Sequence, residues 1–193
     1  MALEPHPNNM RESILYKNNN EEIKIIDNFF SNAILHQIID YFKTTNWKCQ
    51  CKKDINVNLL TDSPYWRIEL EKEEFFNLYL KNIIQKHFNK NLILKRVYVV
   101  GQTYGQHSNF HTDDIDINTY TLCFYINTID NNEHCDNGIF YIKIPNKKYI
   151  INVDPIMNRA IIFPSTYTHK GSGYNRFNNN LRICIAWKFK IIE

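Results

Sequence analysis

The chain has 193 residues, is 44% hydrophobic and 14% aromatic, and sets 23 basic against 20 acidic side chains for a formal net charge of +3. That length fits one domain able to bury roughly 70% of the surface its unfolded chain exposes. So mild a charge, with no long Lys/Arg block, argues against a nucleic-acid partner. No run approaches ~18 apolar residues, and Met1-Ala-Leu-Glu-Pro5 lacks the basic start and apolar stretch of a secretory signal. A cytoplasmic protein without a membrane partner is therefore expected. The five cysteines (Cys49, Cys51, Cys123, Cys135 and Cys184) are odd in number in a chain too long for a disulfide scaffold. Cys49-Gln-Cys51 lacks the second pair that a zinc site needs.

Residues 1–20 are polar and end in Asn18-Asn19-Asn20, the pattern of a mobile arm or an addition to a sheet edge. Residues 21–193 then form one domain, with helical support over 21–90 and a strand-rich core over 91–193. Glu22–Asp27 predicts a short strand. Ser31 caps a helix whose apolar positions Ile34, Ile38, Ile39 and Phe42 follow helical spacing. Residues 48–65 are a polar loop, and Trp66–Leu70 predicts a strand. Lys72–Phe88 predicts a second helix with a broad apolar stripe from Phe75 to Ile84. From residue 91 the rhythm changes to strands: 92–100, 109–114, 119–127, 138–144, 148–153, 159–163 and 181–191. Helices early and strands late indicate an α+β fold, a double-stranded β-helix (jelly roll) core backed by the N-terminal helices. All five glycines fall between 101 and 173, around the residues discussed next.

His111-Thr-Asp113 carries the chemistry. On a strand, residues i and i+2 share a face, so one strand can aim an imidazole and a carboxylate into one space. Asp114 and Asp116 compete for the carboxylate role, and Asp113 is preferred because its parity matches His111. His169 supplies a second imidazole from a distant strand. Two imidazoles and one carboxylate hold non-haem Fe(II) and leave the opposite face open. On the last strand Arg182, Cys184 and Ala186 share one face, while Ile183, Ile185, Trp187 and Phe189 share the other. The small face leaves a space with a guanidinium at its end, and a buried guanidinium needs an anionic partner. Residues 119–127 repeat the design, with Thr121, Cys123 and Tyr125 on one face and Leu122, Phe124 and Ile126 on the other. Tyr125 or Tyr98 could offer a phenol to the same anion. Arg96 shares parity with Tyr98, so both point inward only if Arg96 lies at the barrel mouth.

The segment from Arg96 to Phe189 resembles the catalytic core of the 2-oxoglutarate/Fe(II)-dependent dioxygenases, particularly the prolyl 4-hydroxylase-like branch. The residues that carry the likeness are Tyr98-Val-Val-Gly101-Gln102-Thr-Tyr104, His111-Thr-Asp113, Thr121-Leu-Cys-Phe-Tyr125, Asn158-Arg-Ala-Ile-Ile-Phe163, His169 and Arg182. Asp136-Asn137-Gly138-Ile139-Phe140 stands where the branch has a glycine-rich turn. The resemblance implies His111, Asp113 and His169 as iron ligands. It implies Arg182 as partner of the distal carboxylate of 2-oxoglutarate, with Tyr98 assisting. Asn178-Asn179-Asn180 lengthens the path from His169 to Arg182 and leaves Arg176 as a rival for that role. The implied enzyme is a hydroxylase of an unactivated C–H, with Fe(II), 2-oxoglutarate and dioxygen, and with ascorbate as reductant. A protein or peptide side chain such as proline is the first substrate class, a small molecule the second. A nucleic-acid demethylase would carry a second arginine where Lys188 stands, and a non-catalytic jelly-roll module would have no need of the ligands. Trp66, Tyr104 and the loops 48–65 and 128–137 are expected to frame the substrate cleft.

Overall fold

The computed structural model describes residues 9–18, 21–50, 64–126 and 138–192. Cys51, Cys135 and most of the two loops expected to frame the cleft lie outside the described residues. Two antiparallel sheets organise the rest. The larger contains β1 (Arg11–Asn18), β2 (Glu21–Asp27), β3 (Lys48–Gln50), β4 (Tyr65–Glu69), β5 (Asn91–Gln102), β6 (Thr119–Tyr125), β9 (Arg159–Pro164) and β11 (Arg182–Ile192). Its order is β1-β2-β9-β6-β11-β5-β4-β3. The smaller contains β7 (Phe140–Lys143), β8 (Ile150–Val153) and β10 (His169–Gly171), in the order β10-β7-β8.

Period-two alternation decides which side chains meet. Ile185, Trp187 and Phe189 of β11 cluster with Leu122 and Phe124 of β6 and with Ile126. The same buried cluster takes in Ile34, Leu35, Ile38 and Phe42 of α1 (Asn32–Thr44), and Phe76, Leu80, Ile83 and Ile84. The opposite faces carry Cys123, Tyr125, Cys184 and Ala186, which cluster with Phe163 of β9 and with Phe140, Ile142 and Val153 of the smaller sheet. The apolar side of each central strand thus faces the helices, and its smaller side faces the second sheet.

Local chemistry explains the element ends. The Ser31 hydroxyl accepts from the Ile34 N–H at 3.4 Å, as expected of the cap of α1. The second helix differs from its expected form. Phe75–Leu80 is wound as a π-helix and continues as α2 (Lys81–Phe88). Within the wide turn the Phe76 carbonyl accepts the buried indole N–H of Trp187 at 3.0 Å, a side-chain bond into the helical ladder of the kind that loosens a turn. Residues 11–18, read as arm or edge, pair with β2 as the outermost strand. Lys48–Gln50, read as loop, pairs with β4. Residues 109–114 are not a strand. One bridge joins His111 to His169, after which the N–H groups of Asp113 and Asp114 both turn to the Ser165 carbonyl, at 2.9 and 3.2 Å, and the ladder stops. Among the described residues no helix is long and apolar enough to cross a membrane.

Asn158 ties the helical and strand regions together. Its φ is +61°, a left-handed conformation that Asn tolerates better than most residues. Its Oδ1 accepts from Phe30 N at 3.0 Å and its Nδ2 donates to Phe30 O at 2.8 Å, while its main chain accepts from Phe29 N and donates to Tyr125 O. Replacing it strands a donor and an acceptor in the core. Asn158→Ala is expected to destabilise the protein by about 2–4 kcal/mol, read as a lower urea midpoint at unchanged slope.

Candidate metal centre and its cavity

The bridge between His111 and His169 consists of two main-chain hydrogen bonds, His111 N to His169 O at 3.0 Å and His169 N to His111 O at 2.9 Å. It sets two segments far apart in sequence side by side, with ring centroids 4.5 Å apart. Asp113 follows on the turn that Ser165 holds. One donor atom from each of His111, Asp113 and His169 lies within 4.8 Å of the others, the separation a single bound cation requires. Asp114 and Asp116 are directed elsewhere, Asp114 to Lys95 and Asp116 to Lys190.

The protonation states suit metal binding. His169 is buried, and burial pushes its pKa down to about 4, so its imidazole is neutral near pH 7. His169 Nδ1 lies 2.9 Å from the Tyr167 carbonyl and His111 Nδ1 lies 2.8 Å from the Asn109 carbonyl. A carbonyl can only accept, so each Nδ1 carries a proton, and the Nε2 atoms are the ones turned toward the shared space. Those Nε2 atoms lie 3.5 Å (His169) and 3.8 Å (His111) from the Asp113 carboxylate.

Asp113 has a side chain only 3% exposed. Burial opposes its ionisation, but His169, Lys188 and the hydrogen bonds from Lys188 and Thr121 outweigh it and hold the carboxyl below its ordinary range. Thr121 Oγ1 donates to Oδ2 at 2.7 Å and Lys188 Nζ to Oδ1 at 2.6 Å. Lys188 continues the parity of Arg182, Cys184 and Ala186 by one more step. That parity is a signal present in the sequence.

A cavity of about 540 Å³ opens on the three ligands. Arg182 lines it and is 2% exposed. Its Nε donates to Gly138 O at 2.6 Å and its Nη1 to Gln102 Oε1 at 2.9 Å, while its Nη2 has no partner among the described residues. No carboxylate among the described residues lies within ion-pair distance of it. The Tyr125 ring lies 5.1 Å from the guanidinium, and its buried hydroxyl, beside Arg182 and Cys184, has no well-formed hydrogen bond among the described residues. Burial raises the Tyr125 pKa far above its usual value, so the phenol keeps its proton and can donate. Arg182 is also close to the metal ligands. Gly171 lies two residues along β10 from His169, and a Cβ there would stand 3.4 Å from Arg182 Nη1. Two strand residues span about 6.6 Å.

The other expected site residues separate. Tyr98 lines the cavity but pairs with Ala186 across the ladder, whereas Gln102 pairs with Arg182. It is therefore about 13 Å along the strand from the level of Arg182, at the Lys188 end. Burial and then Asp113 raise its pKa well above normal, so it too stays a phenol. Arg176 is exposed, lies against Phe177 and does not line the cavity. Tyr104 is 64% exposed and Trp66 points to the other face of β4, so neither lines the cavity; Tyr65 and Arg67, its neighbours of opposite parity, do. Arg96 lies at the cavity mouth, as its parity with Tyr98 required.

The residues present fit a divalent cation held by two imidazoles and a carboxylate. Outer-shell hydrogen bonds of this type typically matter about 10–100-fold for metal affinity. Thr121→Val is expected to weaken Mn(II) or Co(II) binding about tenfold by calorimetry, and Asp113→Ala to abolish it. Unchanged affinity in both would remove the metal from this site.

No protein-family model and no curated protein sequence matches this chain. Solved structures do. A prolyl hydroxylase from Trichoplax adhaerens, in complex with a hypoxia-inducible-factor oxygen-degradation-domain peptide, superposes with a TM-score of 0.64 at 17% identity, over 87% of this chain and 83% of that one. A Pseudomonas putida prolyl-4-hydroxylase gives 0.62 at 12% identity, over 89% and 94%. HygX from Streptomyces hygroscopicus, with nickel, 2-oxoglutarate and hygromycin B bound, gives 0.62 at 10% identity, over 87% and 82%. The chain has the jelly-roll fold of the 2-oxoglutarate, Fe(II)-dependent oxygenases, prolyl hydroxylases among them.

Proposed function

We propose that the protein is an Fe(II)- and 2-oxoglutarate-dependent hydroxylase of an unactivated C–H. One observation carries the reading: a buried guanidinium without a carboxylate partner among the described residues lies against Gly171, one same-face step along β10 from His169 of a His-Asp-His cluster. An ion of one sign placed alone in a core costs several kcal/mol. A five-carbon dicarboxylate resolves that cost, because one end can reach the metal while the other takes the free Nη2 of Arg182 and the proton of Tyr125.

His111, Asp113 and His169 would hold the metal. When bound, it supplies the oxidative chemistry that couples decarboxylation of the keto acid by dioxygen to hydroxylation. The chain's own residues do the rest. The Tyr167 and Asn109 carbonyls fix the imidazole tautomers, and Thr121 and Lys188 orient the carboxylate. Gln102 and Gly138 orient Arg182. Tyr98 offers a proton at the metal end of the cavity. Cys123, Cys184 and Ala186 keep that wall small, so co-substrate fits and water is excluded.

A protein or peptide side chain, proline first, is the leading substrate class, supported by the likeness to prolyl hydroxylases, one of them crystallised with a peptide. A small molecule is the second reading, supported by the likeness to HygX with its bound hygromycin B.

Anaerobic Fe(II) and 2-oxoglutarate are expected to give a visible metal-to-ligand charge-transfer band. In air with ascorbate, succinate should form slowly without substrate and cease in His111→Ala. Arg182→Ala should raise the KM for 2-oxoglutarate about tenfold or more, and Arg176→Ala should leave it unchanged. Intact-mass screening of peptides and small molecules for a gain of about 16 Da, one oxygen, then assigns the substrate. Absence of both the band and 2-oxoglutarate binding would end this reading.

A further inference from the structure

A second guanidinium in the same cavity leaves two of its nitrogens without a hydrogen-bond partner among the described residues, and nothing in the co-substrate assignment uses it. Arg67 projects from β4, and its side chain is 10% exposed. Its Nε lies 2.6 Å from Glu69 Oε1, but the N–H is not aligned on the oxygen, and neither Nε nor Nη2 makes a hydrogen bond. The guanidinium is stacked on Tyr98, with Cζ 4.0 Å from the ring centroid. Arg96 lies on the same ring at 5.1 Å. The Glu69 carboxylate that would neutralise Arg67 is shared, since Arg96 Nη2 bonds the same oxygen at 3.1 Å.

Charge adds to this. The described residues lining the cavity include four cationic side chains (Arg67, Arg96, Arg182 and Lys188) and one carboxylate, Asp113. Lys188 is spent on Asp113. Arg182 sits at the level of Gln102, while Arg67 pairs with Val100 and stacks on Tyr98, toward the mouth. Glu69, and Glu71 at 3.8 Å from Arg96 Nε, offset part of this charge from outside the lining, and a divalent metal and a dianionic keto acid cancel one another and leave the remainder in place. A neutral substrate would leave Arg67 with only the shared Glu69 carboxylate among the described residues, where a carboxylate or phosphate would supply a second anionic partner.

We propose that the substrate is anionic, and that Arg67, flanked by Arg96 and braced on the Tyr98 ring, binds a carboxylate or phosphate group of it near the cavity mouth. The proposal rests on the hydroxylase reading, because that reading assigns the other free guanidinium, Arg182, to 2-oxoglutarate. It narrows the substrate class: a peptide with an acidic or phosphorylated residue beside the modified one, or a small acid, and not an apolar or cationic compound.

The test uses the full chain loaded with redox-inert Zn(II) and 2-oxoglutarate, with acetate, methyl phosphate and neutral acetamide as probes. Acetate or methyl phosphate should saturably shift the Arg67 Nε–Hε resonance in a nitrogen–proton correlation spectrum, and acetamide should not. Whichever anion binds tighter identifies carboxylate or phosphate as the group recognised. Arg67→Gln should weaken that binding about tenfold, with Arg67→Lys intermediate, and both should hold 2-oxoglutarate within about twofold of the parent protein. Anion binding unaffected by Arg67→Gln, or no anion binding by a parent protein that does bind 2-oxoglutarate, overturns the proposal and leaves the hydroxylase reading standing. A tenfold loss of 2-oxoglutarate affinity in Arg67→Gln moves Arg67 into the co-substrate site and also overturns it. Failure of the parent protein to bind 2-oxoglutarate at all removes both readings, and a calorimetric titration of the Zn(II)-loaded protein with 2-oxoglutarate separates that outcome from the others.

Discussion

Two main-chain hydrogen bonds between His111 and His169 set the geometry on which the site depends. They cost no side-chain chemistry, since every residue but proline carries the same donor and acceptor. Because they lock two chain segments at one register, both imidazoles face one point, and a carboxylate two residues on can join them. Their orientation is then fixed by carbonyl acceptors on the Nδ1 side, so the lone pairs that matter are aimed before any ligand arrives. Such preorganisation explains how a segment that is not a strand still delivers the two ligands that strand parity assigned to it.

Much of the fold was legible because alternation is a strong signal where a strand is buried on both sides by different things. The bulky and small faces of β6 and β11 fall into separate buried clusters, as their sequences indicate. Arg96 sits at the mouth for the reason its parity gave. The features that were not legible come from contacts between distant residues. Nothing local to Phe75–Leu80 announces a π-helix, whose Phe76 carbonyl meets an indole from the far end of the chain. Nothing in residues 109–114 announces that Ser165 will take two of their N–H groups.

The cavity wall shows both kinds of signal. Trp66 is expected at the cleft, but its parity is opposite to that of Tyr65 and Arg67, which line the cavity. Tyr98 and Tyr125 were interchangeable in the sequence as phenols for one anion. The ladder separates them, because Tyr125 pairs with Cys184 and lies against Arg182, whereas Tyr98 pairs with Ala186 and lies among Arg67, Arg96 and Lys188. Register, which no single-sequence pattern encodes, turned two equivalent candidates into two different environments.

Gly138 holds Arg182 through a main-chain oxygen, and it does so from a backbone at φ +61° with the Tyr174 ring 2.7 Å from where a Cβ would be. An acceptor of that kind survives substitution of every surrounding side chain, provided the turn itself persists. The lack of a second glycine in Asp136-Asn137-Gly138 is therefore compatible with an intact grip on the guanidinium, because the acceptor is the Gly138 main chain. The one letter that cannot change is the glycine whose missing methyl makes room for the tyrosine ring.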